Sequence, residues 1–315
     1  MLVERILLTG ANGFVGGHLL SMLDSCKVVI VGRKPLPGSP YDFFKLELNV
    51  HANYTAALNN VACVVHCAAR VHIMDDKSAK PIDEFRAVNT QGTLNLATQA
   101  AQAGVKRFVF ISTIKVNGES TTGRKPFNEQ EYAPEDPYGI SKAEAEQQLL
   151  ALGQQTGMEI VIIRPPLVYG EGVKANFSSL MSLVNKGLPL PFRAINNNKR
   201  SLVSVYNLVD LIKVCIEHPR AANQVFLVSD DHDLSTAEMV AQMAKAQGKK
   251  NLALSVPVWC FKLAGKLFNK SNVIDRLTGS LQIDITHTKN TLGWQPPYTV
   301  EHGFKLAVKN SHHNS

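Results

Sequence analysis

Three short stretches carry side chains suited to one kind of chemistry: a glycine-rich turn at 9–17, a Ser112–Thr113 pair, and Tyr138-Gly-Ile-Ser-Lys142. In the last, a tyrosine and a lysine four positions apart fall on one face of a helix. A phenol with an ordinary pKa of about 10 is a weak acid–base group at neutral pH. A neighbouring ammonium favours the phenolate and is expected to draw that pKa toward the working range. The same spacing also arises as a solvated surface pair, so its weight depends on what positions it.

The elements that would do so alternate along the chain. Apolar, β-branched runs at 5–9, 28–31, 61–66, 107–112 and 159–164 read as strands. Helical patterns separate most of them, notably at 83–103 and 138–155. Near-continuous apolar strands between helices predict a parallel sheet covered on both faces, an α/β fold of Rossmann type. Beyond Pro165 the pattern loosens. A helix is expected at 175–186, strands at 202–205 and 225–228, and helices at 236–246, 256–267 and 300–308. The expected division is a dinucleotide-binding unit over 1–170, with segments near 203–230 returning to it. A smaller, mostly helical substrate unit takes 171–202 and 231–315.

The turn after the first strand is Gly10-Ala-Asn12-Gly13-Phe14-Val15-Gly16. Glycines at this spacing between a strand and a helix let the backbone approach a pyrophosphate, and the helix N-terminus adds amides and partial positive charge. Gly10, Asn12, Gly13, Phe14, Val15 and Gly16 are therefore candidate cofactor contacts. The second strand ends in Val31-Gly32-Arg33-Lys34, where NAD-binding domains of this type carry an acidic residue for the adenosine ribose. With no carboxylate to repel a 2′-phosphate and two cations to bind one, Arg33 and Lys34 favour NADP(H), with NAD(H) as the alternative.

Composition bounds the rest. The chain has 315 residues, 45% hydrophobic and 19% charged, which is ordinary for a soluble globular protein. No apolar run is long enough to span a bilayer, and the N-terminus lacks a signal-peptide layout, so a cytoplasmic protein is expected. The five cysteines form no paired spacing and read as reduced thiols, with no disulfide or metal framework. The net charge of +7 is dispersed rather than gathered into a basic run, which argues against nucleic acid and suits an anionic small-molecule substrate.

With these motifs in order, the chain resembles the extended branch of the short-chain dehydrogenase/reductase superfamily, the nucleotide-sugar epimerases, dehydratases and ketoreductases. The resemblance covers nearly the whole length. It rests on the glycine turn, Val65-His66-Cys67-Ala68-Ala69, Asn89, the strand end at 110–118, Tyr138 with Lys142, and Arg164-Pro165-Pro166-Leu-Val-Tyr169-Gly170. It implies that Ala68, Ala69 and Ser112 line the cofactor, that Asn89 holds it or a nearby helix, and that Pro166 flanks the nicotinamide. Lys142 would bind the nicotinamide ribose as well as tune Tyr138. Thr113 would hydrogen-bond the substrate oxygen at the reacting carbon. Asn176, Arg200 and Arg276 match positions that contact the substrate's uridine or diphosphate, and paired guanidiniums suit a diphosphate chemically.

Departures from the pattern narrow the activity. Sugar 4,6-dehydratases carry an Asp-Glu pair directly after the catalytic threonine; here those positions are Ile114 and Lys115, which cannot do paired carboxylate work. The reading favoured by Arg33 and Lys34 is an NADPH-dependent reductase of a UDP-4-keto-6-deoxy-N-acetylhexosamine, of the kind found in O-antigen sugar biosynthesis. The alternative is a UDP-glucose or UDP-N-acetylglucosamine 4-epimerase with tightly held NAD, and a minor one is a non-catalytic nucleotide sensor. By analogy with such proteins a homodimer is expected, through a face built from the helices containing Asp83 and Tyr138. The 259–268 stretch, apolar at helical spacing with a few lysines, is expected to pack on the substrate unit rather than insert into a membrane.

Overall fold

The computed structural model describes residues 5–71, 81–173 and 175–308. Seven strands form one sheet: β1 (Arg5–Thr9), β2 (Val28–Gly32), β3 (Asp42–Lys45), β4 (Val61–His66), β5 (Arg107–Ile111), β6 (Glu159–Arg164) and β9 (Gln224–Leu227). All pairs are parallel, in the order β3-β2-β1-β4-β5-β6-β9. Burial on both faces explains the near-continuous apolar strands. Leu8, Val65, Val109 and Val161 point into one buried cluster, while Leu7, Val64, Phe108 and Ile160, one residue out of phase, fill another.

Helices cover those faces. Helix α1 (Phe14–Leu20) crosses from β1 to β2 and packs against α6 (Val205–Glu217). On the way from β4 to β5 run α2 (Pro81–Phe85), a π-helical segment Arg86–Gly92 and α3 (Thr93–Gln102). Helix α4 (Pro137–Thr156) joins β5 to β6; Asp136 caps its start and Gly157, at a φ of 77°, closes its end. The strand order turns back between β1 and β4, and it is at the carboxyl ends flanking such a switch that α/β sheets bind ligands.

The remaining elements build a third core. Strands β7 (Leu167–Tyr169) and β8 (Leu202–Ser204) pair in parallel. Beside them Tyr169, Phe177 and Phe304 cluster, with ring centroids 4.7 to 5.8 Å apart, and bring together α5 (Ala175–Asn185), α7 (Thr236–Ala246) and α11 (Val300–Val308). Three short helices, α8 (Val258–Leu267), α9 (Ser271–Thr278) and α10 (Thr286–Leu292), lie between α7 and α11.

Several elements depart from the sequence expectation. Val205 opens α6 instead of ending a strand, because the Ser204 hydroxyl caps the helix. Strand β3, half-buried at the sheet edge, has only Phe43 and Phe44 as apolar residues and gives no alternating signal. Ser112 lies just past β5. Helix α8 packs by one face only, and its Trp259, Leu263 and Leu267 stand exposed.

Candidate active site

The glycine turn sits at the sheet's carboxyl edge with a backbone that admits only small residues. Gly10 has a φ of 75°, and a Cβ there would lie 2.7 Å from the Ala68 nitrogen at the end of β4. A Cβ on Gly16 would run into the Gly10 carbonyl. Gly13 caps α1 without any side-chain bond, so the first amides of the helix remain open at the switch point. This cradle fits a dinucleotide's pyrophosphate.

Its neighbours are tied to it by hydrogen bonds. The Ala68 amide donates to Thr9 Oγ1 at 3.2 Å, and Ala68 and Ala69 line the edge half-buried. Thr9 Oγ1 also contacts His66 Nδ1 at 2.7 Å, and His66 Nε2 reaches Thr93 Oγ1 at 3.0 Å. The Asn12 side chain donates to the Lys34 carbonyl at 2.7 Å, so it fastens the turn to the end of β2. Arg33 and Lys34 lie past that end, exposed.

Thr113, Tyr138 and Lys142 come from two adjacent elements. Thr113 follows β5 in extended conformation and caps the turn Ile114–Val116, its Oγ1 accepting from the Lys115 amide at 3.3 Å. The Pro165 carbonyl accepts the Ile114 amide at 2.9 Å, which fixes that turn beside the buried Pro166. Asp136, the cap of α4, accepts from the Gly139 amide at 2.6 Å and pairs with Lys115. The residue standing in the dehydratase acid's place thus anchors the helix that presents Tyr138. Phe85 packs on the Tyr138 ring with 6.0 Å between centroids.

The electrostatics differ from the sequence expectation. Burial pushes the Tyr138 phenol up to about 12, and the Asp136 charge adds to the rise. Lys142 is buried with its Nζ 3.9 Å above the Phe110 ring centre, and burial pushes its amine down to about 7 while Glu146 pulls it back up. A lysine so desolvated is a weak source of positive potential, and the expected downward pull on Tyr138 is overridden.

Beneath the site lies a polar network that the sequence reading missed. Glu146, one turn beyond Lys142, forms a buried pair with Arg164: Nε donates to Oε1 at 3.0 Å and Nη2 to Oε2 at 2.5 Å. Arg164 Nη1 donates further to Asn117 Oδ1 at 3.0 Å and to the Glu129 and Glu131 carbonyls. The Ser112 hydroxyl donates to Glu146, which ties the end of β5 into this network. The Asn89 amide bonds the Arg70 backbone at 2.8 and 3.0 Å and donates to Ser141 Oγ at 3.1 Å, joining the loop after β4 to α4. A signal for the network was available in the i, i+4 spacing of Lys142 and Glu146 and in a charged Arg164 inside an apolar strand.

Far along the chain, Arg200 and Arg276 meet. Arg200 Nη1 donates to the Arg276 carbonyl at 2.8 Å. Burial, followed by the Arg276 charge, holds the Arg200 guanidinium below its usual range. Two like charges kept close create a place where an anion relieves both burial and repulsion. Asn176 lies in the first turn of α5, and its side chain is outside the described residues.

Residues 6–229 match the NAD dependent epimerase/dehydratase family. The chain belongs to that family. A UDP-glucose 4-epimerase of Vibrio cholerae is 58% identical over 311 residues, covering 97% of this chain and 95% of that protein. An N-acetyl-α-D-glucosaminyl-diphospho-ditrans,octacis-undecaprenol 4-epimerase of Escherichia coli O157:H7 is 28% identical, covering 97% and 95%. Among solved structures, a Thermotoga maritima UDP-glucose 4-epimerase with UDP-glucose superposes with a TM-score of 0.77 at 21% identity, over 97% of each chain. This family member is an enzyme of the extended short-chain dehydrogenase/reductase type, and that structural likeness carries its fold. None of its described helices is long and apolar enough to cross a membrane.

Proposed function

We propose that this enzyme interconverts the C4 epimers of a UDP-hexose or UDP-N-acetylhexosamine, using a nicotinamide dinucleotide held at the glycine cradle. The observation that carries this is the 58% identity, over nearly the full length of both chains, to a UDP-glucose 4-epimerase. It moves the balance from the 4-keto-sugar reductase to the epimerase. The turn Gly10–Gly16 and the Ala68–Ala69 edge would hold the cofactor, and when bound it supplies a hydride acceptor and donor at C4. NAD is the proposed form. Arg33 and Lys34 are exposed, and their charges are as well explained by stacking on an adenine as by a 2′-phosphate.

The chain's own residues then move the proton and place the sugar. Tyr138 takes the proton from the C4 hydroxyl and returns it to the alkoxide after the sugar turns over. Its phenol is raised to about 12, so it holds its proton at rest, and positive charge near the nicotinamide ribose must favour the phenolate during turnover. Thr113 holds the C4 oxygen. Lys142 binds the ribose, and its amine, pushed down to about 7, regains its charge as ligand hydroxyls replace the Phe110 face. Arg200 and Arg276 clamp the diphosphate, with Asn176 beside them. The reading keeps the two-unit division at 170, with 203–230 belonging to the first unit, and a homodimer through α4 and the segment containing Asp83.

Two measurements test it together. Freshly purified protein is denatured and the released dinucleotide identified by mass spectrometry, and C4 epimerisation of UDP-glucose and UDP-N-acetylglucosamine is followed for wild type and Tyr138→Phe. The expected result is near-stoichiometric NAD in both proteins, with turnover lowered by about 10²- to 10⁴-fold in the variant. An empty protein that binds NADPH far more tightly than NADH and reduces a 4-keto sugar would return the assignment to the reductase.

A further inference from the structure

The hairpin of α8 and α9 has two faces of opposite character. On the inner side Phe261 stacks on Phe192 with 6.0 Å between centroids. Gly265 lets α9 approach closely, since a Cβ there would sit 2.8 Å from Ile274 Cγ1. The outer side is bare: Trp259, Leu263, Leu267 and Phe268 are 65, 60, 77 and 70% exposed. The first three repeat every fourth residue and form one stripe. Lys262 and Lys266 are interleaved with it, exposed and in no ion pair among the described residues.

We infer that this face docks on an anionic lipid bilayer. A tryptophan with leucines and a phenylalanine, bordered by free lysines on a short helix, has the composition of an interfacial element. The apolar side chains enter the headgroup boundary while the lysine stems reach back to anionic headgroups. At 10 residues, α8 lies on the surface and does not span it. A second copy of the chain fits less well. Four side chains of this size present roughly 500 Å², short of the ~800 Å² per partner of a stable interface. A two-fold axis through the stripe would also set Lys262 and Lys266 against their own copies, as like charges. Docking would bring α9, and with it Arg276 and Arg200, to within about 20 Å of the headgroups, given helix diameters of about 10 Å. The enzyme would then take its diphosphate substrate at the membrane surface.

The inference is independent of the reaction, and its test needs no turnover. The full-length protein is floated with vesicles of phosphatidylethanolamine and phosphatidylglycerol, and separately with phosphatidylcholine vesicles, at low and high salt. Wild type should float with the anionic vesicles alone and be released by salt. The double variants Leu263→Ser/Leu267→Ser and Lys262→Glu/Lys266→Glu should each bind at least about tenfold more weakly. Both should keep their melting temperature and dinucleotide content. Failure of wild type to float with anionic vesicles at low salt overturns the inference, as does equal flotation of wild type and both variants. A dimer that the leucine variant converts to monomers would assign the face to a second copy instead.

Discussion

His66 shows how one buried side chain sets a condition on the whole site. Buried between the hydroxyls of Thr9 and Thr93, it bonds through both ring nitrogens. Burial, joined by the nearby Lys142 charge, pushes its pKa down to about 3. The sign follows directly: with an unfolded value near 6.5, the unfolded chain binds the extra proton between about pH 6.5 and 3, so stability rises with pH across that window. Moving from pH 7 to pH 5 should cost about 2 kcal/mol through this residue alone. His66→Gln, which can still meet two hydroxyls, should flatten that part of the urea-melt profile. A variant whose acid sensitivity matched wild type would show that other groups control it. Because His66 ends β4 two residues before Ala68 and shares Thr9 Oγ1 with the Ala68 amide, acid should also loosen the cradle.

At the scale of elements, α4 is held from beneath as well as at its cap. Glu146 sits one turn past Lys142, and its bond to Arg164 fastens the helix to β6, while Ser112 and Asn117 bring in the segment carrying Thr113. Glu146→Ala would strand the Arg164 guanidinium in the core, and we expect a loss of about 3–5 kcal/mol in chemical denaturation. Glu146→Gln, which keeps an acceptor, should lose less. Equal stability of wild type and the alanine variant would refute the anchoring role.

The α4 case also marks how far the sequence could be read. The five apolar strand runs, the turn at Gly10–Gly16 and the Tyr138–Lys142 spacing were visible because each is a local pattern with its own period. Asn12 and Ser112 were legible as polar residues in the right places but not in their orientation, since their partners, Lys34 and Glu146, come from other elements. The lowered phenol was expected from a charge pair alone. Burial, which depends on how Phe85 and the surrounding chain pack, reverses the sign. Strand β3 was missed because its two phenylalanines carry too little pattern, and α9 and α10 because their short amphipathic turns are stabilised by neighbours rather than by propensity.

The whole molecule joins a nucleotide cradle near residue 10 to an arginine pair at 200 and 276, and the chain between them sets their separation. Arg200 is fixed there by backbone pairing to Leu234 and Leu281 and by its bond to the Arg276 carbonyl. Under the proposed function the pair would stand ready before any ligand arrives, and the proximity of its charges would be a cost that a bound diphosphate offsets. UDP alone should then raise the melting temperature of wild type. By mass action the rise corresponds to about 2.7 kcal/mol at a hundredfold excess over its dissociation constant. Arg276→Ala should bind UDP about tenfold or more weakly and shift less, yet the unliganded variant should melt no lower than wild type, since removing one charge relieves its neighbour. If Arg276→Ala bound UDP as wild type does, the diphosphate would sit elsewhere. If the variant instead lost stability without ligand, Arg276 would be a structural residue, and the repulsion between the two guanidiniums would not be the force that prepares the site.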